Sequence, residues 1–366
     1  MPFRSTPAIR FFVLCAALFL PLSGWADSAD SAIQPDVKEE PSFLLQHIKF
    51  LSADSYSRFR YMDKAEHKVT DRDLQYKIST VVKIDFIGDG TTYLQGRGES
   101  GRSFTSSFDY SGVGMNKAYW SFNLKSLYAG QKIGQHLEAQ AGGIDYDWGA
   151  GTEATYADYD AWLEGYRLRY SGTGEGWMPN RVGVTVGYVG DFIQPNVFAR
   201  FHRMTDENYI QALAYKKLGT RDVSAEFDSI DSIRYARAAL HWPKLPLVVA
   251  DDLTVESIGR VSNTDRFGWS STLFKTIDRK GRVRPGVFYS DMSRSIFLMG
   301  KTTLFQNGDS YSLGKRIGPT LRVVPFSNFE VTLFGGDRLD ATPGPRYRGQ
   351  IQFRYQLASL LNRALR

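Results

Sequence analysis

Arg167 and Arg169 stand two residues apart in "WLEGYRLRY" and so share one face of an extended strand. Two guanidinium groups on one polar wall form part of a ladder that attracts and orients passing anions. Charges that only brace the wall against one another are the plainer alternative. Trp162, Tyr166, Leu168 and Tyr170 take the other face, where Glu164 breaks the apolar pattern. A carboxylate in that place fits an interface or a bulge. Just upstream, "DYDWGAGTEATYADYD" gathers Asp145, Asp147, Glu153, Asp158 and Asp160. Carboxylates bind calcium or bridge divalent ions to anionic surfaces. Their spacing matches no calcium loop, so they are a weak metal candidate, and a solvated acidic loop accounts for them as well.

Catalytic patterns are sparse. His47, His67, His136, His202 and His241 are dispersed, and "GESG" at 98–101 lacks the spacing of a hydrolase nucleophile elbow. His136 shares a polar face with Glu138, yet no serine nucleophile can be assigned to it. There is no HExxH, paired CxxC, phosphate-binding loop or dinucleotide fingerprint. No catalytic residue and no cofactor is assigned.

The elements that position these residues are strands. In "RDLQYKISTVVKIDF", Leu74, Tyr76, Ile78, Thr80, Val82, Ile84 and Phe86 oppose Gln75, Lys77, Ser79, Val81, Lys83 and Asp85. That period of two predicts a long strand with one apolar and one wet face. The pattern recurs in "WSFNLK", "RVGVTVGY", "RDVSAEFD" and "RGQIQFRYQL". Strands are expected near 56–63, 74–86, 91–99, 116–127, 136–146, 161–171, 181–190, 196–203, 208–218, 222–229, 232–241, 246–259, 265–275, 309–325, 328–336 and 347–358. Turn chemistry such as "GDG", "AGQKIG", "GTGEG", "TDEN" and "PFSN" separates them.

Aromatic residues make up 14% of the 366 residues and charged ones 23%. The mean hydropathy of -0.32 disfavours a helical membrane protein, but not a barrel whose lipid-facing residues alternate with lumen-facing ones. "MPFRSTPAIR", the apolar "FFVLCAALFLPL" and "SGWA" read as an export signal cleaved after Ala26. The single cysteine, Cys15, lies inside that signal, so the mature chain needs no disulfide. Losing Arg4 and Arg10 with the signal lowers the net charge from +6 to +4. With no basic block in the chain, nucleic-acid binding gets little support.

Exported one-sided strands close best into a transmembrane barrel, because open sheet edges do not persist in hydrocarbon. The expectation is an all-β, closed antiparallel barrel of 16 strands, with 14 or 18 as alternatives. Residues 1–26 are the signal, 27–55 a periplasmic leader, 56–358 the barrel and 359–366 a periplasmic tail. The leucines of "LASLLNRALR" predict a short helix in that tail. Counting from 56–63 upward, "GDG", "AGQKIG" and "TDEN" fall on the periplasmic side. The segments 100–115, 147–160, 276–308 and 337–346 then fall outside.

With "TTYLQGRGESG", "HLEAQAGGIDYDWG" and "RYRGQIQFRYQL", the mature chain resembles the porins and porin-like barrels of the Gram-negative outer membrane. The resemblance is one of architecture. It implies outer-membrane localisation, passive diffusion of small polar solutes and a homotrimer. It also implies contact with outer-membrane lipids, lipopolysaccharide and the barrel-assembly machinery. Many porins end on an aromatic residue; this chain continues past Tyr355 to Arg366.

The alternation assigns Lys77, Lys83, Asp85, Lys125, Glu138, Arg167, Arg169, Arg181, Glu226, Asp228, Arg234, Arg348 and Arg354 to the lumen. Bases outnumber acids there, which predicts a mild anion preference. Segment 276–308 either folds inward, bringing Arg282, Arg284, Asp291 or Arg294 to a constriction, or contributes strands through "SIFLMG" and "TTLF". Two other functions stay open. A structural or adhesion barrel would have a plugged lumen, and an outer-membrane lipid-modifying enzyme would have a compact polar cluster.

Overall fold

The computed structural model describes residues 47–64, 69–103, 106–157, 162–261, 263–293, 296, 314–340 and 345–365. The export signal, Cys15 and most of the leader lie outside the described residues. The first strands are β1 (Ile48–Lys64), β2 (Val69–Asp85), β3 (Thr92–Glu99), β4 (Asp109–Gly114), β5 (Asn123–Ile133) and β6 (Leu137–Asp145). They are followed by β7 (Trp162–Ser171), β8 (Arg181–Tyr188), β9 (Tyr209–Leu218), β10 (Arg221–Ile230), β11 (Ile233–Trp242) and β12 (Asp252–Arg260). The last are β13 (Asn263–Phe274), β14 (Val283–Met292), β15 (Gly314–Phe326), β16 (Phe329–Arg338) and β17 (Pro345–Gln356), then helix α1 (Ala358–Ala364).

All 17 strands belong to one sheet, and β1 pairs with both β2 and β17. The closed barrel has 16 strands. β4 stands apart from the ring: it pairs with the upper part of β2, while β3 pairs onward to β5. Each described pairing is antiparallel, and the closing register runs from Asp54↔Gln356 to Lys64↔Pro345. The helix expected in the tail is present. Its Asn362 side chain accepts from Phe50 N at 3.0 Å and donates to Phe50 O at 2.8 Å, clamping the chain's end to β1.

The two faces of the sheet are chemically opposite. Along β2, Asp73, Gln75, Lys77 and Ser79 are buried while the intervening residues are less so. On β7, Arg167 is buried and its neighbours Tyr166 and Leu168 are exposed. A polar row thus faces the lumen and an apolar one faces outward. Around the ring the outward row includes Phe59, Val184, Ile210, Phe227, Phe267, Ile317 and Phe353.

Two strand expectations are corrected, and they compensate in the count. Residues 196–203 form two 3-10 turns, Val197–Ala199 and Phe201–Arg203, where a strand was expected. Residues 283–292 form β14, where the sequence suggested a loop. Pro285 and Gly286 read as breakers in sequence, yet Pro285 still pairs in register with Leu321. Every strand between these two sites therefore runs opposite to the expected direction. "TDEN" lies at the end of the barrel far from α1, and 275–282 lies at the same end as α1. β1 also begins at Ile48, inside the expected leader.

The 3-10 turns belong to a strap, residues 189–208, that lies on the outer face. Asn208 closes its base by accepting from Val189 N at 2.8 Å and donating to Val189 O at 2.9 Å. Val197 packs over Gly143, the register partner of Glu164. The Arg200 guanidinium lies 4.1 Å over the Trp162 ring and 3.9 Å from Glu164. Glu164 is the residue that breaks the apolar pattern of β7. It shares the outward face of Tyr166, and the strap covers it with a buried counter-charge. Burial pushes Arg200 down to about 10, against the pull of Glu164.

Candidate functional site

The lumen wall is built by alternation and narrowed by two loops. The first, 146–157, leaves β6 and turns back into the barrel. Tyr146 donates to Glu226 on β10, and Ala150 N donates to Ser224 Oγ at 2.8 Å. Thr152 N and Thr155 Oγ1 donate to Glu256 on β12 at 2.8 and 2.5 Å, and Arg237 Nε donates to Thr155 O at 2.6 Å. Trp148 stacks on Tyr156 at 5.3 Å, giving the loop a small core of its own.

Segment 147–160 leaves the outer end, as expected, but over the described residues 146–157 the chain folds inward and is not the solvated acidic loop that the sequence suggests. Asp147 is buried among three arginines, 3.0 Å from Arg169, 3.7 Å from Arg181 and 3.9 Å from Arg167. Burial alone would push its carboxyl up; the three guanidinium groups outweigh that and hold it below the usual carboxylate value. Glu153 lies on the same loop, whereas Asp158 and Asp160 fall outside the described residues. Among the described residues, no group of three or more His, Cys, Asp or Glu side chains could hold a metal.

The second loop, described over 100–103 and 106–108, turns inward beside β1 and β2. Glu99, fully buried, binds Lys77 at 2.5 Å and Lys125 at 3.5 Å. Lys125 also donates to Ser106 O at 2.7 Å, and Ser100 Oγ donates to Ser107 O at 2.8 Å. The loop delivers Phe108 against Arg58, whose guanidinium carbon lies 3.6 Å from the ring centroid.

The residues assigned to the lumen by sequence fall into distinct settings. Arg167 is buried and donates to Thr185 Oγ1 at 2.9 Å, Gln140 Oε1 at 3.1 Å and Asp145 O at 2.5 Å. Arg169 and Arg181 are more open and share Asp147 with it. Glu138 accepts from Tyr93, over whose ring Lys83 lies at 3.7 Å. Glu226 and Asp228 both bind Arg237, at 2.8 and 2.7 Å, with no solvent access. Arg354 pairs with Asp54 at 3.0 Å, and Arg348 is buried with a 3.4 Å bond to Gln350. Asp85 sits at the foot of β2, where it caps Ile87 N and Gly88 N in the turn.

Arg234 is a correction: it is exposed and shares the outward face of Ala236 and Ala238. Its neighbours Tyr235 and Arg237 take the buried face. In "IRYARAALHW" the alanines suit either face, so alternation alone could not decide. Segment 276–308 does not fold inward as one constriction loop. Arg284 is on β14 and binds Asp252 at 2.6 Å. Arg282 lies in the turn before β14, 3.8 Å from Asp278. Asp291 shares the face of the exposed Val287, opposite to Arg284. Arg294, with nearly all of "SIFLMG" and "TTLF", lies outside the described residues. No local motif marks Glu256 and Glu99, which hold the loops, because their partners lie on other segments.

In several of these ion pairs the base stands forward and the acid stands back, whereas Arg237 with Glu226 and Asp228, and Lys125 with Glu99, are closed on both sides. The exposed fraction is 22% for Arg169 against 3% for Asp147, and 32% for Arg354 against 8% for Asp54. Arg284 and Asp252 show 23% against 10%. Arg97 and Asp145, 3.4 Å apart, are about equally open.

No protein-family model matches this chain, and no curated protein does either. Solved porins match its fold. A Salmonella typhi OmpF in complex with daunomycin is 12% identical, covers 85% of this chain and 98% of its own, and gives a TM-score of 0.53. A mutant of the Rh. blastica porin is 11% identical, covers 84% and 99%, and gives a TM-score of 0.52. At this identity the likeness is one of architecture: the chain has the closed barrel of the porins.

Proposed function

We propose that this protein is an outer-membrane channel through which small hydrophilic solutes diffuse passively, with a mild preference for anions. The porin fold supports the channel and a Gram-negative outer-membrane setting. One observation supports the anion preference: Asp147, Asp252 and Asp54 are more buried than the arginines they bind, while Arg169, Arg181, Arg284 and Arg354 keep part of their surface open. An anion on the axis therefore meets cations first, in a low-dielectric tube that focuses their field. A homotrimer, an export signal cleaved after Ala26 and help from the barrel-assembly machinery belong to the same proposal.

The test is a reversal potential across a planar bilayer under a salt gradient. Anion selectivity is expected at low salt and should shrink as salt screens the wall. Arg169→Gln with Arg181→Gln should shift the potential toward cations. Cation selectivity of the unmodified protein would overturn the anion reading. Folded protein without conductance would favour a plugged structural barrel.

A further inference from the structure

A cluster on the β1–β2–β17 wall combines aromatic rings with cations in a way a general polar lining does not need. Tyr56 and Phe108 meet edge to face, with centroids 6.2 Å apart. The Arg58 guanidinium carbon lies 3.6 Å from the Phe108 ring centroid. Its Nε and Nη2 donate to Gln75 Oε1 at 2.9 and 2.6 Å, which fixes the guanidinium plane. Lys77 stands 5.4 Å from the Tyr56 ring and 5.9 Å from Phe108, and Arg354 stands 5.5 Å from Tyr56. Lys77 pairs with Glu99 and Arg354 with Asp54, both carboxylates being buried, and Glu330 stands beside Arg354 in register on β16. Phe108 is not a wall residue: the inward loop brings it to Arg58, with Lys125 holding Ser106.

We infer that this corner is a binding subsite for small aromatic carboxylates. Arg58, Lys77 and Arg354 supply the charge. The corner between Tyr56 and Phe108 supplies edge-to-face contact for a third ring. A guanidinium placed over one ring and tied to Gln75 offers a fixed cationic plane to a flat anion. An aliphatic acid of equal charge and size gains only the electrostatic part. The inference rests on the channel reading for access to the wall, but binding can be measured without conductance.

The test is equilibrium binding to the full-length folded protein in detergent, by isothermal titration with benzoate and with cyclohexanecarboxylate. Benzoate should bind about fivefold or more tightly than the saturated acid, the size of one aromatic or cation–π contact. Phe108→Leu should abolish that ratio while leaving the weak binding of the saturated acid. Arg58→Gln should weaken both, with the larger loss for benzoate. The heat-induced shift on gel electrophoresis reports whether each variant is folded. Equal affinity for the two acids, or a ratio that survives Phe108→Leu, would overturn the subsite. Benzoate selectivity without conductance would keep the subsite and sink the diffusion channel. Conductance without benzoate selectivity would do the reverse.

Discussion

Arg167 and Arg169 look equivalent in sequence, but the fold gives them different work. Arg167 is buried against Thr185, Gln140 and the backbone of Asp145, so it braces β6, β7 and β8 and the root of the inward loop. Arg167→Gln should lower unfolding stability in urea by about 2 kcal/mol, the scale of lost hydrogen bonds from a charged group. Arg169→Gln should lower the urea midpoint less than Arg167→Gln, because Arg169 is more open and Arg167 and Arg181 still face Asp147, and it should act on selectivity as well. Asp147 gives the loop a pH dependence with a definite sign. Its carboxyl is held below the usual value in the folded chain, so its contribution is full above about pH 4, the unfolded value. It is lost as pH falls through the lower folded value, when three guanidinium groups lose their shared counter-charge. Unfolding midpoints measured from pH 7 down to pH 3 should fall for the wild type. Asp147→Asn should start lower and change less. A variant as pH-dependent as the wild type would remove Asp147 from this role.

At the scale of elements, alternation made the wall legible wherever a strand carried bulky apolar residues on one face, as β2 and β8 do. It failed where alanine blurred the faces, as in β11, and where local chemistry contradicted tertiary pairing. Pro285 hid β14, while the apolar residues of 196–203 suggested a strand because they cover a surface of their own. The sequence also left Glu164 unexplained, since its partner Arg200 comes from a strap that no periodicity reveals. The strap depends on close approach to a bare backbone: a Cβ on Gly143 would run into Val197. Gly143→Val should lift the strap and expose Arg200 and Arg203 to trypsin in folded protein. Faster cleavage within 189–208, with the remaining barrel intact, is the expected result. Unchanged protection would mean that Arg200 and the Asn208 base hold the strap without the Val197–Gly143 contact.

For the whole molecule, the decisive contact joins its two described ends. β17 closes on β1, and α1 adds the Asn362 clamp across Phe50, 312 residues away in the chain. Asn362→Ala should leave the finished barrel folded but slow its formation in lipid vesicles severalfold, read from the heat-modifiable band over time. A variant that folds at the wild-type rate would restrict the clamp to the finished state. The same seam sets a temporal order on biogenesis. Neighbouring hairpins can pair as soon as both arms exist, but the ring cannot close until the last strand has been delivered. Until then the sheet has two raw edges, each a template for the wrong partner. The chain must therefore be kept from aggregating over nearly its whole length, and a truncation that removes only β17 and α1 removes the step that ends that exposure.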